Sequence, residues 1–418
     1  MPILEAPFVR ILGLNIVMFR LFNVGLTLIA ALALWAVAKR ISGRWGAAAS
    51  AAVFFLFPPD WVRWSTREYV WWISGTLVGL LVAYCCLRWH DTQRDAWLWP
   101  AGFFSGLLFW TYPLFGCLVA PPILAVAWLL RHRVRALFKL VALAPIGAAP
   151  WLRVNLLDGF MSFKQQDWTT DPVLMRLDKS MTQVLPTAYI TRLVHLSPTS
   201  AGVLGGLMVS AVGVLILYAL FRKGPAVALV GATILIWPVI LAWSRVAVGF
   251  ANYHYAFVVL APIAVLTGWM VRRSISLTLL LMLVAVGLSV VGLWRDTHHF
   301  AAVGMKDPAS KALETRLITD HRTHVYAGYW VSYALSVETG ERITASPTVT
   351  ERYEPYERLA ASAPMSTYVF TVGQTLDQAV DQSLERHGGG RRSVIGDYAV
   401  YEFDVKVSPA QLPVQSSI

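Results

Sequence analysis

Charged residues are scarce in this chain of 418 residues. Asp, Glu, Lys and Arg make up 14% of it, whereas 56% of the residues are hydrophobic. The mean hydropathy is +0.56. A water-soluble protein of this length needs more charge to cover its surface, so two or three soluble domains are excluded. The composition predicts a helical protein with several membrane spans.

Cysteines and the motifs of soluble enzymes are missing as well. The only cysteines are Cys85, Cys86 and Cys117, all inside apolar runs, so they predict packing residues rather than disulfides or thiolate metal ligands. There is no Gly-x-Ser-x-Gly, His-Glu-x-x-His, Walker loop or Cys-x-x-Cys motif. Enzymatic chemistry is therefore expected only where loops meet at a membrane face.

Ten apolar stretches are candidates for membrane helices, although several are shorter than the roughly 20 residues that a full crossing needs. They are residues 18–38, 45–58, 70–87, 98–112, 114–130, 137–151, 203–221, 225–243, 254–271 and 275–294. None contains Asp or Glu. Since ion-coupled transporters usually bury acidic residues in their spans, this absence disfavours a transporter.

The distribution of Lys and Arg predicts the orientation of the spans. Alternate loops divide into one set with 13 Lys and Arg in 31 residues and another with 8 in 77 residues. Positively charged loops stay in the cytoplasm, so the first set, which includes 39–44, 88–97 and 131–139, is predicted to be cytoplasmic. The long loop 152–202 and both chain ends are then predicted to be extracytoplasmic in the plasma or inner membrane.

The net charge of +11 divides unevenly along the chain. Residues 1–294 carry a net charge of +14 and residues 295–418 a net charge of −3, so the positive charge indicates cytoplasmic anchoring rather than a nucleic-acid partner. The predicted domains are an interfacial segment, two groups of six and four spans separated by a large loop, and an end domain. Their boundaries are 1–17, 18–151, 152–202, 203–294 and 295–418.

The end domain shows the pattern of a small α/β fold. Strands are predicted at His324 to Ala327, Tyr368 to Val372 and Tyr398 to Asp404, and helices near 308–320 and 374–387. Residues 387–392 predict a turn with basic flanks rather than a phosphate loop. At the other end of the chain, apolar residues at helical spacing in 1–17 indicate a helix in the membrane interface.

Three extracytoplasmic loops carry candidate site residues. In the loop 59–69, Arg63 and Arg67 stand among aromatic residues, and they fit either phosphate binding or an interfacial belt with snorkelling arginines. In the long loop, Asp167 and Asp171 fit either a catalytic base or cation ligand, or ordinary solvated charges.

The third loop lies between the predicted spans 225–243 and 254–271. Arg245 and His254 flank the ends of adjacent spans there. Polar side chains at that depth usually face a cavity, so a ligand role is open for one or both of them.

The order of several motifs resembles that of GT-C integral-membrane glycosyltransferases, in the branch that includes protein O-mannosyltransferases and the lipid A aminoarabinose transferase. The resemblance covers most of the chain. It rests on Phe19 to Asn23, Lys39 to Ala49, Pro58-Pro59, Ala101 to Pro113, Pro150 to Leu156, Asn252 to Tyr255, Tyr326 to Tyr333 and Thr339 to Ile343.

This resemblance implies transfer of a sugar from a polyprenyl-phosphate carrier to a lipid, glycan or protein acceptor on the outer face of the membrane. It also implies an acidic base in a first external loop, whose preceding helix and front part are missing here. Glu5 is the remaining candidate for the base in that loop, but it is a weak candidate. Asn252 stands where relatives carry Arg, so Arg245 is the substitute to consider.

Two rival functions stay open beside the glycosyltransferase. One is a non-catalytic GT-C-like subunit in envelope assembly, because the catalytic acid is not found. The other is a multi-pass transporter or flippase. No cofactor is identified, a divalent cation is possible, and the sugar and acceptor are not indicated.

Overall fold

The computed structural model describes most of the chain. The described residues are 2–13, 16–65, 70–157, 159–160, 171–191, 198–221, 225–244, 248–271, 308–348, 353–373, 375–386 and 389–412, with isolated positions between 276 and 294. Within these ranges some side chains, those of Glu5 and Arg63 among them, are outside the description. The chain divides into two compact units, Met1–Glu5 with Phe19–Trp294, and Ala6–Met18 with Arg295–Ile418.

The first unit is helical throughout its described part. Its α-helices are Ile16–Leu56, Pro59–Ser65, Val70–Thr92, Leu98–Thr111, Gly116–Leu129, Val134–Ala142, Ala144–Gly147, Ala149–Leu157, Val173–Lys179, Pro198–Phe221, Pro225–Trp243 and Leu260–Val271. Shorter 3₁₀ helices are Asp95–Trp97 and Pro113–Phe115, and a longer one is Phe250–Val259. Residues 180–191 are largely π-helical, with segments at Ser180–Val184 and Thr187–Thr191.

Four described helices are long and apolar enough to cross a membrane. They are Val17–Leu56, Val70–Thr92, Ala226–Trp243 and Asn252–Met270. A fifth is possible if Val134–Gly147 and Ala149–Leu157, bent by 54°, form one broken span. The prediction of several membrane spans is therefore confirmed, but the count of ten is not.

Gly43 explains part of that difference. The predicted spans 18–38 and 45–58 lie in one helical run that is broken at Gly43, where φ is 78° and ψ is −176°. Glycine adopts this left-handed region without the clash that a Cβ would cause. A straight helix of this length would be about 60 Å long, twice the hydrocarbon core, so the break divides it into two segments of membrane-compatible length.

Glycine also sets how closely the helices approach. A Cβ at Gly46 would lie 2.5 Å from the carbonyl oxygen of Gly268, and a Cβ at Gly268 would lie 2.2 Å from the carbonyl oxygen of Gly46. Such contacts are too short for real atoms. The run Ile16–Leu56 and the helix Leu260–Val271 can pack backbone to backbone only because both residues are glycine.

The loops that are rich in Lys and Arg lie together at one end of the helix Val70–Thr92. Arg40 Nε is 3.6 Å from Asp91 Oδ2, which joins the loops 39–44 and 88–97. Asp95 accepts hydrogen bonds from Arg133 (3.1 Å) and Lys139 (3.4 Å), which joins 88–97 to 131–139. The expectation that these three loops share a side is confirmed. We call this the basic end.

The end domain is a five-stranded mixed sheet flanked by helices. Its strands are β1 His324–Ala327, β2 Thr344–Pro347, β3 Thr367–Thr371, β4 Gly390–Ile395 and β5 Tyr398–Phe403. Their order is β2-β1-β3-β5-β4, with β1 parallel to β2 and β3, and β5 antiparallel to β3 and β4. The helices are Pro308–Thr319, Tyr329–Glu338, Glu354–Ser362 and Thr375–Arg386.

The predicted strands and helices of this domain are all present, but the turn at residues 387–392 is partly wrong. Arg391 and Arg392 belong to β4. Each finds a cross-strand partner on β5, since Arg391 pairs with Glu402 (2.6 Å) and Arg392 donates to the Tyr401 hydroxyl (2.9 Å). These pairs hold a polar edge strand that has little apolar character of its own. The helix expected in residues 1–17 is present as Pro2–Leu12.

Candidate functional site

Described parts of the four loops predicted to be extracytoplasmic contribute to one group of aromatic residues at the other end of the helix Val70–Thr92. These loops are 59–69, 112–116, 152–202 and 244–253. Trp64 comes from the first loop and Tyr112 from the second, His254 directly follows the last, and Trp72 lies at the start of the helix itself. The long loop adds Tyr189, whose ring centroid is 6.0 Å from that of Phe57. We call this region the aromatic end.

His254 lies at the centre of this group. Its ring stacks on Trp64 with centroids 4.9 Å apart and planes 16° apart, and it meets the edge of Trp72 at 5.6 Å. The centroid of Tyr255 is 4.5 Å away. Tyr255 in turn shares a hydrogen bond with Tyr112. The half-buried imidazole is therefore fixed between rings while part of it stays accessible.

Hydrogen bonds from neighbouring helices hold the elements that carry these rings. Trp237 Nε1 donates to the carbonyl oxygen of Tyr255 at 2.9 Å, and the Tyr189 hydroxyl donates to that of Ala256 at 2.9 Å. Thr27 Oγ1 lies 3.2 Å from the carbonyl oxygen of Ser65, which ties the short helix Pro59–Ser65 to the first helical run. The 3₁₀ helix Phe250–Val259 thus presents His254 from a fixed backbone.

Arg176 is the most unusual charged residue of the described chain. It is 6% exposed, and two of its guanidinium nitrogens, Nε and Nη1, have no hydrogen-bond partner there. The carboxylates close to it in sequence do not neutralise it, since Asp171 is bound to Lys179 Nζ at 2.6 Å and Asp178 is exposed. A buried cation without an anion costs several kcal/mol.

Arg176 is connected to the aromatic end through irregular helix. Its helix Val173–Lys179 packs against Pro225–Trp243 and continues into the π-helical residues 180–191, which pack against the 3₁₀ helix Phe250–Val259. A Cβ at Gly205 would lie 2.1 Å from the carbonyl oxygen of Met181, so Pro198–Phe221 presses closely on the same segment. Stretches of π- and 3₁₀-helix often occur at functional sites.

Two further buried donors at this end lack a hydrogen-bond partner within the described part of the chain. They are the indole nitrogen of Trp61, a residue 1% exposed, and the hydroxyl of Thr187, a residue 5% exposed. Most buried polar groups are paired in folded proteins. Trp61, Thr187 and Arg176 thus each bury a donor that no described residue satisfies.

The predicted site residues lie in different parts of the structure. His254 is in the aromatic end, whereas Asp171 is held by Lys179, which favours a paired structural charge over a free base. Arg63 lies in the helix Pro59–Ser65 and Glu5 in Pro2–Leu12, but neither side chain is described. Arg67, Arg245 and Asp167 lie outside the described residues.

Arg176 was missed by the sequence prediction. Residues 176, 180 and 184 share one buried face of the structure, but they are Arg, Ser and Val, so the sequence carries no apolar stripe that would have indicated this face. For metals, no group of three or more His, Cys, Asp or Glu among the described residues could hold an ion, and the divalent-cation prediction stays untested.

Comparisons with known proteins identify the fold. No protein-family model and no curated protein matches the chain. The crystal structure of ArnT from Cupriavidus metallidurans in the apo state is similar, with 12% sequence identity and a TM-score of 0.55 over 94% of this chain and 85% of ArnT. The same protein bound to undecaprenyl phosphate gives 13% identity and a TM-score of 0.54 over the same shares.

An oligosaccharyltransferase from Archaeoglobus fulgidus matches more loosely, with 14% identity and a TM-score of 0.44 over 95% of this chain and 62% of its own. The likeness to ArnT shows that the chain has the fold of this GT-C glycosyltransferase, as the resemblance of its motifs predicts.

Proposed function

We propose that the chain is a membrane glycosyltransferase that transfers a sugar from a polyprenyl-phosphate-linked donor to an acceptor in the cell envelope. The fold that it shares with ArnT supports this, as does the undecaprenyl phosphate in one ArnT structure. The observation that carries the proposal is the buried guanidinium of Arg176, whose Nε and Nη1 have no hydrogen-bond partner within the described part of the chain.

The carrier phosphate is the anion that suits Arg176. A phosphate offers several oxygens to a planar guanidinium, and charge-assisted bonds of this kind are the strong ones. Binding of the phosphate would remove the free-energy cost of burying Arg176 without an anion. An uncharged substrate would leave that cost in place, so a phosphate-bearing ligand fits better than the neutral solute of a sugar transporter. A flippase of lipid-linked sugars would carry the same phosphate, and the transfer assay distinguishes it from the enzyme.

The chemistry of the transfer assigns roles to the candidates. The acceptor oxygen forms a bond to the anomeric carbon while the bond from that carbon to the carrier phosphate breaks. The acceptor proton passes to a base, for which Glu5 is the candidate, and polyprenyl phosphate leaves with the electron pair. Arg176 stabilises the charge that accumulates on this leaving group, with Arg63, Arg67 and Arg245 as further candidates.

The aromatic end suits the sugar. The paired rings of Trp64 and His254 offer an apolar face against the C–H face of a sugar, and the Tyr112 and Tyr255 hydroxyls offer hydrogen bonds. In this proposal the aromatic end and the end domain are extracytoplasmic, and the basic end is cytoplasmic.

A transfer assay tests the proposal. The purified full-length protein is incubated with undecaprenyl-phosphate-linked sugars and an envelope extract as acceptor, and released undecaprenyl phosphate is quantified by mass spectrometry. We expect release by the wild type and at least about tenfold less by Arg176→Met, because one charge-assisted bond contributes about 1.5–3 kcal/mol.

Matched variants distinguish the rival functions. Arg44→Met removes an exposed arginine at the basic end and should leave release unchanged. Carrier binding without release from any donor would favour a non-catalytic subunit. Release that Arg176→Met does not slow would remove Arg176 from the site.

A further inference from the structure

The end domain carries a second group of aromatic side chains, separate from the aromatic end. Five residues form it, from the helix Tyr329–Glu338 and from the start of Glu354–Ser362: Tyr329, Trp330, Tyr333, Tyr353 and Tyr356. We call it the aromatic ridge. Glu341, three residues beyond the first helix, lies beside it.

The rings of the ridge are ordered by edge-to-face contacts. Tyr329 meets Trp330 at 5.0 Å and Tyr333 at 5.4 Å, and Tyr353 meets Tyr356 at 4.8 Å with planes at 90°. The Tyr356 hydroxyl donates to Glu341, just beyond the helix Tyr329–Glu338, so the two helices contribute to one surface.

The outer rings of the ridge face solvent. Trp330 is 67% exposed and Tyr353 is 51% exposed. Exposed aromatic surface of this extent is typical of a binding site.

Oriented carboxylates accompany the rings. The Tyr356 hydroxyl donates to Glu341 Oε1 at 2.5 Å, and Glu357 accepts from Tyr326 at 3.0 Å and from Ser346 at 2.7 Å. Glu354 is held by Arg358. Each acid is therefore fixed by a neighbour, and Glu341 holds its carboxylate beside the Tyr356 ring.

The charge of the ridge opposes an anionic partner. Residues 329–342 and 353–358 contain four Glu and two Arg, so their net charge is −2. Membrane surfaces with anionic lipids attract Lys and Arg, and polyanions do so as well. A lipid headgroup layer is for this reason a poor match, although exposed Trp and Tyr alone would suit it.

We propose that the aromatic ridge binds a neutral glycan. The C–H faces of pyranose rings pack against Trp330 and Tyr353, while sugar hydroxyls donate to Glu341 and its neighbours. This role requires no transfer chemistry, so it stands or falls independently of the proposed function.

Binding of neutral oligosaccharides to the full-length protein tests the proposal. The protein is placed in nanodiscs of phosphatidylcholine, and cellohexaose, maltohexaose and mannohexaose are tested by saturation-transfer NMR and calorimetry. We expect saturable binding of at least one of them. Trp330→Ala and Tyr353→Ala should each weaken it about tenfold, as truncation of a central aromatic contact does.

Controls in the same domain keep the result specific. Val394→Ala shortens an apolar side chain on β4 that is 52% exposed, and it should leave the affinity unchanged. No binding of any of the three sugars would overturn the proposal, as would binding that neither aromatic variant weakens. Binding of oligolysine alone would assign the ridge to a basic protein. Quenching of Trp330 by brominated lipid, measured against Trp330→Phe, would assign it to the membrane.

Discussion

The imidazole of His254 is held by ring contacts on three sides, so its packing and its polarity can be separated by substitution. We expect His254→Ala to lower stability by about 1–2 kcal/mol, because the stack on Trp64 and the contact with Trp72 are lost. His254→Phe keeps the ring and should stay close to the wild type in thermal unfolding.

Sugar transfer distinguishes the two contributions of this residue. If the ring nitrogens contact the donor, both variants should release less undecaprenyl phosphate than the wild type. Full activity of His254→Phe would show that His254 acts by packing alone.

Single residues also show what sequence could predict about the site. His254 was identified because a polar side chain at the end of an apolar span usually faces a cavity, and it does lie in the aromatic end. Arg176 was overlooked because it belongs to a polar loop, where charges are normally solvated. Its burial depends on contacts of Val173–Lys179 with Pro225–Trp243, about 50 residues later, which no local pattern contains.

At the scale of elements, the contact between Gly46 and Gly268 predicts a specific sensitivity. Gly46→Ala places a Cβ 2.5 Å from the Gly268 carbonyl oxygen and 2.4 Å from Ser42 Oγ, so the helices must separate. We expect a loss of about 1–3 kcal/mol, the usual cost of overpacking. Thermal unfolding in detergent measures it.

Gly25→Ala is the control in the same helical run. A Cβ there has no heavy atom within 4 Å, and alanine favours a helix by about 1 kcal/mol over glycine. Equal destabilisation by the two variants would contradict the close approach of the helices.

The end domain contains a carboxylate whose titration should be visible in its stability. Burial raises the pKa of Asp377, but hydrogen bonds from Tyr401, the Gly373 N–H and Arg392 outweigh it, so the pKa lies below its ordinary value. A lowered folded-state pKa stabilises the fold above the unfolded pKa of about 3.9, and this stability is lost as the pH falls through the folded pKa.

Asp377→Asn should therefore be less stable than the wild type at neutral pH, and the difference should shrink in acid. Chemical unfolding of the end domain at several pH values, followed by circular dichroism of the full chain, measures this. Asp381→Asn is the matched control, because Asp381 is more exposed and also faces Arg392, at 3.5 Å. A constant difference across pH would contradict the role of the Asp377 charge.

Most helices and strands could be predicted because their sequence patterns are local, but the breaks and irregular turns within helical runs could not. Apolar runs located Val70–Thr92 and Pro225–Trp243 well. The break between Val134–Gly147 and Ala149–Leu157 and the π-helical residues 180–191 follow from packing, so composition alone did not predict them. In the end domain, β2 and β4 were missed because they are short or polar edge strands.

At the scale of the whole molecule, the loops that the structure describes separate into two groups as the Lys and Arg counts predict. Ion pairs gather the basic loops at one end of Val70–Thr92, and aromatic contacts gather the others at its opposite end. Charge counting could predict this grouping because it reflects a property of whole loops. It could not predict which rings would meet.

Thiol labelling tests the orientation of the chain in the membrane. The native Cys85, Cys86 and Cys117 are buried and give little background. We expect Ser362→Cys, at an exposed site of the end domain, to react with a membrane-impermeant maleimide in intact cells. His132→Cys, at the basic end, should react only after permeabilisation. The reverse pattern would contradict the proposed sidedness.

The affinity of the full-length protein for undecaprenyl phosphate tests the central claim most directly. Titration in nanodiscs, read by native mass spectrometry, compares the wild type with Arg176→Met and with the control Arg44→Met. The variant should stay folded, because an apolar side chain of similar size replaces an unpaired buried cation. We predict saturable binding that Arg176→Met weakens about 10- to 100-fold and Arg44→Met does not. Equal affinity of the wild type and Arg176→Met would contradict the assignment of this buried arginine to the carrier phosphate.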